Sequence, residues 1–177
     1  MGRHLLPLLA AGFRLWGVDR DTQVLQLLKD RLKKAAVVAE GPYLAQADLN
    51  QLPFVTGAFD LAVSIKVINH GYAATFREYC RELDRVLKVG GHLFINVSPW
   101  EFAEHVKLPQ TRELEPGTLV DIATPDGTLI HHFPTPEELR EQFPGYRVHR
   151  WETIISSVMF MANVERPQLI FWAEKEK

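Results

Sequence analysis

The chain has 177 residues, enough for one domain with a sizeable core. Hydrophobic residues make up 46% and charged residues 24%, and the formal net charge is −2, so no basic surface is set aside for nucleic acid or an anionic membrane. A single cysteine, Cys80, excludes an internal disulfide and fits a reducing, cytoplasmic setting. The apolar run 5–13 imitates a signal-peptide core, but it is short, contains Pro7 and leads into Arg14 without small cleavage residues. Leu6 stands where a myristoylation motif needs Ser or Thr. No segment is long and apolar enough to span a bilayer.

In chain order, Leu5, Leu6, Leu8 and Leu9 predict a helix over 3–12, with Pro7 tolerated in its first turn and Gly12 ending it. A strand follows over 13–18 and stops at Asp19. Val24, Leu25, Leu28 and Leu32, spaced three and four apart, predict an amphipathic helix capped by Asp21 or Thr22, with Lys33 and Lys34 at its negative end. A brief strand over 43–47 ends before Asp48. The nearly all-apolar run 59–65 reads as a strand covered on both faces. Phe76, Tyr79, Cys80, Leu83, Val86 and Leu87 form one stripe on the next helix, which Gly90 and Gly91 are expected to stop. Residues 92–98 read as another buried strand.

This alternation predicts an α/β fold, doubly wound around an open and mostly parallel sheet. The pattern breaks at Pro99. A turn or two of helix is expected near 101–106, then a β-hairpin over 118–133 turning at Asp126–Gly127. A short helix follows, capped by Thr135, with Pro136 in first position and Glu138 closing a capping box. Strands near 146–156 and 168–174, joined by a short loop, should pair antiparallel.

Ligands of open α/β sheets bind outside the carboxyl ends of the strands. Asp19 and Asp48 end two such strands, and Ile65 and Lys66 end a third. An acid at the first position can accept from both ribose hydroxyls, and one at the second from the exocyclic amine of adenine. Asp is equally at home in plain surface turns, so either acid alone is ambiguous.

In "GRHLLPLLAAGFRLWGVDRD", "ADLNQLPFVTGAFDLAVSIKVINH" and "CRELDRVLKVGGHLFINV" the sequence resembles the class I S-adenosylmethionine-dependent methyltransferases. The likeness is to the small-molecule type grouped with the ubiquinone and menaquinone biosynthesis enzymes, and it runs over about residues 2–98. It implies a Rossmann-like fold with antiparallel closing strands and S-adenosylmethionine as cofactor. It also implies a small-molecule methyl acceptor, with no nucleic acid or membrane partner. The implied cofactor-binding residues are Gly2, Asp19, Arg20, Asp48, Leu49, Ile65, Lys66 and Val67, with Asp19 on the ribose and Asp48 near the adenine. One domain, 1–177, is expected, divided into a cofactor-binding part (1–98), a lid (99–133) and a closing helix with two strands (134–177).

In that family a first strand and a G-x-G-x-G loop precede the opening helix, and Gly2 matches the last glycine of the loop. The family's sheet order, 3-2-1-4-5-7-6, puts that first strand in the centre. Three expectations follow: Met1 opens a truncated reading of a longer gene, the flanking strands close on each other, or a second chain supplies a strand. The first is favoured, and open strand edges then allow homo-oligomers.

No catalytic residue stands out. His70, on the rim beyond the third strand, is the weak candidate for a base, with a packing role as the plainer alternative. His131 and His132 point to opposite faces of a strand and cannot readily share a metal ion, so no metal is expected. Trp100, Phe102, Trp151 and Phe160 could line an acceptor pocket or simply pack the core, and Cys80 belongs to the helix core. Two rivals stand beside methyl transfer. One is a nicotinamide-dependent oxidoreductase, with Arg20 suited to a 2′-phosphate. The other is a non-catalytic methyltransferase-like remnant that binds a partner or cofactor.

Overall fold

The structure is a computed structural model that describes residues 4–34, 43–122, 129–157 and 165–177. The chain forms two compact units, 1–53 and 54–177.

In the first unit, helix α1 (Leu5–Ala10) leads through Gly12 to strand β1 (Trp16–Asp19), helix α2 (Thr22–Lys34) and strand β2 (Tyr43–Gln46). Gly12 holds φ at +88°, the left-handed conformation that ends a helix with least strain for glycine. Asp21 caps α2, its Oδ1 accepting the Gln23 N–H at 2.7 Å. Leu25 and Leu28 are the buried positions of α2, and Arg31, Lys33 and Lys34 fill its last turn, where cations offset the helix dipole. β1 and β2 pair parallel, with Trp16 opposite Tyr43 and Asp19 opposite Gln46. The Trp16 and Tyr43 rings stack at 4.7 Å.

The second unit is built on a four-stranded sheet in the order β3-β4-β9-β8. Its strands are β3 (Phe59–Ile65), β4 (Leu87–Val97), β8 (Tyr146–Ser157) and β9 (Glu165–Lys175). β3 and β4 are parallel, and the crossover between them is helix α3 (Ala73–Val86). β9 runs antiparallel to both β4 and β8, as the short connection between the last two strands requires. The alternate residues Leu93, Ile95 and Val97 of β4 and Leu169, Phe171 and Ala173 of β9 are wholly buried. They share this core with Phe76, Cys80 and Leu83 of α3 and with Leu139 of helix α5 (Pro136–Glu141). Asp84 ties α3 to the last two strands, accepting from the Tyr146 hydroxyl at 2.8 Å and pairing with Lys175 Nζ at 2.9 Å.

Two local expectations need correction. Gly90 and Gly91 do not stop α3, which ends at Val86 with Leu87 already extended. The glycines lie in a bulge of β4, where Phe59 faces Leu87 but Leu61 faces His92, and Gly90 has φ +77°. Bulges of this kind use glycine to reach positive φ. Thr135 does cap α5, accepting the Glu138 N–H at 3.1 Å, but the capping box is only half made. The Glu138 carboxylate turns to His132 and Arg77 instead.

Past β4 the chain forms helix α4 (Trp100–Val106) and then a small sheet of β5 (Arg112–Glu115), β6 (Thr118–Val120) and β7 (His131–His132). The expected antiparallel pairing of the 118–133 segment is present as β6 with β7, and its turn at Asp126–Gly127 lies outside the described residues. A second hairpin, β5 with β6, turns at Pro116–Gly117 and has no counterpart in the sequence reading. Phe102, Ala103, Val106, Leu119, Ile122 and Phe133 give this region its own buried cluster, with Trp100 packed against it. Phe102 is therefore a core residue, and Phe160 lies outside the described residues.

Cys80 is 1% exposed, and burial pushes its thiol well above the usual thiol range. We expect no reaction of the native protein with a thiol-specific chromogenic reagent, and one equivalent after unfolding in guanidinium. A rapid native reaction would show that α3 opens.

Candidate functional site

In the first unit the two strand-end acids share one local geometry. Asp19 Oδ1 accepts the N–H of Asp21 at 2.9 Å, and Asp48 Oδ1 accepts the N–H of Asn50 at 2.9 Å. Each is an Asx turn, which fixes the carboxylate at the point where the strand stops. The other oxygen of each has no partner among the described residues. Arg20 follows Asp19, exposed, and its carbonyl accepts from Gln46 Nε2 at 3.2 Å, which joins the ends of the two strands. Leu49 is half-buried beside Asp48. Leu5, Gly17, Val18, Asp19, Val24, Leu25 and Leu28 line a cavity of about 220 Å³. A Cβ at Gly17 would meet Leu44 Cδ2 at 2.8 Å and Leu5 Cδ1 at 3.3 Å, so a side chain there would need both leucines to shift. Gly2 lies outside the described residues.

In the second unit the third strand end carries Ile65, Lys66 and Val67. Lys66 adopts φ +59°, a conformation uncommon for any residue but glycine and of the kind found at functional turns. Its N–H donates to Asn96 O at 2.9 Å, and its ammonium to Ser98 Oγ at 2.8 Å. The side chain is thus held against the end of β4. Val67 is exposed and Ile65 half-buried.

Asn69, which the sequence reading passed over, organises this corner. It is 4% exposed. Its Nδ2 donates to Ser98 O at 3.0 Å and His132 O at 2.9 Å, and its Oδ1 accepts the Ser98 N–H at 3.2 Å. The His132 N–H in turn donates to Asn69 O at 2.8 Å. One buried amide therefore joins the loops after β3 and β4 to β7. A polar residue between Ile68 and the turn at Gly71 was the available signal.

His70 lies next to this hub. Its backbone bridges His131, its ring lies tilted at 4.7 Å from the His131 ring, and its buried Nδ1 has no hydrogen-bond partner among the described residues. Gly71 holds φ +126°, and a Cβ there would lie 2.9 Å from Thr75, so only glycine fits comfortably.

The two neighbouring histidines do face apart. His132, 2% exposed, contacts Thr118 Oγ1 through Nδ1 at 2.9 Å and Glu138 Oε2 through Nε2 at 3.0 Å. Thr118 donates to Glu115 Oε1 at 3.1 Å, and the same carboxylate oxygen accepts the Ala73 N–H at the start of α3 at 2.7 Å. Because Thr118 gives its one proton to Glu115, it accepts from the His132 ring. The Ala73 N–H, followed by the Thr118 hydroxyl, holds the Glu115 carboxyl below the usual carboxylate range.

An α/β fold with two parallel strand pairs and antiparallel closing strands, with acids at the carboxyl ends of successive strands, fits the Rossmann-like class. Residues 1–95 match the family described as a methyltransferase domain, more than half of the chain. The chain belongs to this family, the class I S-adenosylmethionine-dependent methyltransferases. It is 40% identical over 100 residues to a malonyl-[acyl-carrier protein] O-methyltransferase of Legionella pneumophila. The match covers 56% of this chain and 33% of that relative, so the chain spans about a third of its length. Among solved structures, an S-adenosylmethionine-dependent methyltransferase of Methanosarcina mazei superposes with a TM-score of 0.78 at 17% identity, covering 98% of this chain and 87% of the other. The 1,6-didemethyltoxoflavin-N1-methyltransferase of Burkholderia thailandensis, solved with bound 1,6-didemethyltoxoflavin and S-adenosylhomocysteine, does so at 0.64 and 16%, covering 99% and 67%.

Two outcomes test this geometry. Asn69→Ala leaves buried donors and acceptors of Ser98 and His132 unpaired and should cost about 2 kcal/mol or more in urea unfolding; a loss below about 0.5 kcal/mol would mean that the three loops hold without it. Glu115 has a lowered folded-state value, so its stabilising effect is full above the ordinary carboxylate range and fades as pH falls through that lowered value. Glu115→Gln should lower stability at neutral pH and flatten the acid limb of a stability-against-pH curve. An unchanged acid limb would remove Glu115 from this role.

Proposed function

We propose that the protein containing this chain binds S-adenosylmethionine and transfers its methyl group to a small-molecule acceptor. The observation that carries this reading is the pair of Asx-turn carboxylates, Asp19 and Asp48, each fixed through one oxygen at the end of adjacent parallel strands. The remaining oxygens suit the donors of a nucleoside: ribose hydroxyls at Asp19, with Arg20 alongside, and the adenine amine at Asp48, with Leu49 against the ring. The apolar cavity beside Asp19 suits the same ligand. For the second unit, taken by itself, the family resemblance makes Ile65, Lys66 and Val67 a cofactor-contacting segment. Lys66 acts there through its strained backbone, since its ammonium is engaged by Ser98. Gly2, outside the described residues, enters this reading only through the family resemblance, as a contact to the methionine part.

The cofactor, when bound, supplies a methyl group already activated on a sulfonium. What remains for the chain is alignment and exclusion of water. The 99–133 region, with its own buried cluster, acts as the lid that selects the acceptor, consistent with specificity residing in loops on a rigid scaffold. If the acceptor must lose a proton, His70, on the rim beyond β3, is the candidate base. The Legionella relative's acceptor, a malonyl group on a carrier protein, makes a carboxylate acceptor the first class to try. Membership of the methyltransferase family favours neither the nicotinamide reading nor a non-catalytic remnant.

Isothermal calorimetry with S-adenosylhomocysteine and methyl transfer from labelled S-adenosylmethionine test this. Asp19→Ala and Asp48→Ala should each weaken binding by about 1–3 kcal/mol. His70→Gln should lower turnover while leaving that binding intact. Unchanged affinity in both aspartate variants would sink the assignment of the nucleoside pocket.

A further inference from the structure

The sheet of the second unit carries a second cluster of chemistry-bearing side chains. On β4 and β9, His92 and Glu174 are directly opposed in the antiparallel register. On β8 the register slips between Val148 and Arg150, which makes His149 the extra residue of a β-bulge. Bulges re-aim a side chain that strict alternation would send to the other face. His149 Nε2 accordingly lies 3.4 Å from Glu174 Oε2, and the His92 and His149 rings are 5.7 Å apart. One donor atom from each of the three residues falls within 4.8 Å of the others.

Two features suit these side chains to hold an ion. The His92 ring lies flat on Trp172, at 5.1 Å and 5° between planes, so its plane is set before any ligand arrives. Its Nδ1 is buried without a hydrogen-bond partner among the described residues, so one nitrogen of the ring is uncommitted. Glu174 also pairs with the Arg147 guanidinium. Arg147 is the competing cation: it is largely exposed and also reaches Glu176 at 3.7 Å, so it has an alternative partner when Glu174 turns away.

We propose that His92, His149 and Glu174 form a zinc site that clips β8 and β9 to β4. Two imidazoles and one carboxylate are a zinc donor set, with water filling the fourth position of a tetrahedron. Donors around zinc stand roughly 3.4 Å apart at ordinary bond lengths, so binding draws the three side chains together by about 1 Å. The site is separate from the strand-end acids and does not depend on the methyl-transfer reading.

The test is a calorimetric titration of zinc chloride into the 177-residue chain. One ion per chain is expected, and the thermal unfolding midpoint should rise with zinc. His149→Ala and Glu174→Gln should each weaken binding on the order of tenfold or more, while His105→Ala, on the exposed side of α4, leaves it unchanged. His149 is exposed, so its variant should fold, which circular dichroism verifies. Cobalt in place of zinc should give the intense visible absorption of a four-coordinate site, lost in His149→Ala. Absence of binding below millimolar zinc, or equal binding by wild type and both ligand variants, would overturn the proposal.

Discussion

The buried amide of Asn69 is the constraint on which the second unit's loop corner depends. Three segments far apart in sequence, after β3, after β4 and at β7, have polar backbone groups turned inward. Such groups are costly to bury unpaired. Asn has both a donor pair and an acceptor on one short side chain, and here it serves Ser98 in both directions and His132 in one. A leucine of similar volume would fill the space and leave those groups stranded. The strained turn at Lys66 and the glycine at position 71 are tolerable because this fixed point lies between them.

The second layer of order is electrostatic. The path from the α3 amino terminus through Glu115, Thr118 and His132 to Glu138 connects two helices and the small sheet. Each residue satisfies its neighbour, and a carboxylate at a helix amino end is favoured by the dipole. Glu138 illustrates how tertiary context overrides a local rule. Its position three residues after Thr135 fits a capping box, but a buried imidazole is the more demanding partner, and the carboxylate goes there.

Much of this was legible beforehand. The strand–helix alternation, the stripe of α3, the cap at Thr135 and the antiparallel closing pair follow from periodicity and turn chemistry, and the structure has them. What the sequence hid was non-local. The Gly90–Gly91 pair reads as a helix stop, yet it serves a bulge whose need appears only when β3 lies alongside. The β5–β6 hairpin turns at Pro116–Gly117 in the stretch beyond Pro99, for which only a turn or two of helix was expected. For the candidate site, the strand-end acids could be named from their place after successive strands, and their roles from the family resemblance. Their Asx turns, and the hub at Asn69, depend on which backbone groups end up facing inward.

The order of strands in the second unit has a further consequence for synthesis. β4 finds one neighbour, β3, among residues already made, but its other neighbour is β9, with His92 waiting for Glu174 roughly eighty residues later. Until β9 leaves the ribosome, the central strand of this sheet has an open edge and a half-covered apolar face. Long-range pairing of this kind is slow and exposes the nascent chain to aggregation. The 99–133 region, with its local hairpins and its own buried cluster, can form in that interval. The order of emergence thus makes the sheet's centre, rather than its rim, the last part of the unit to close.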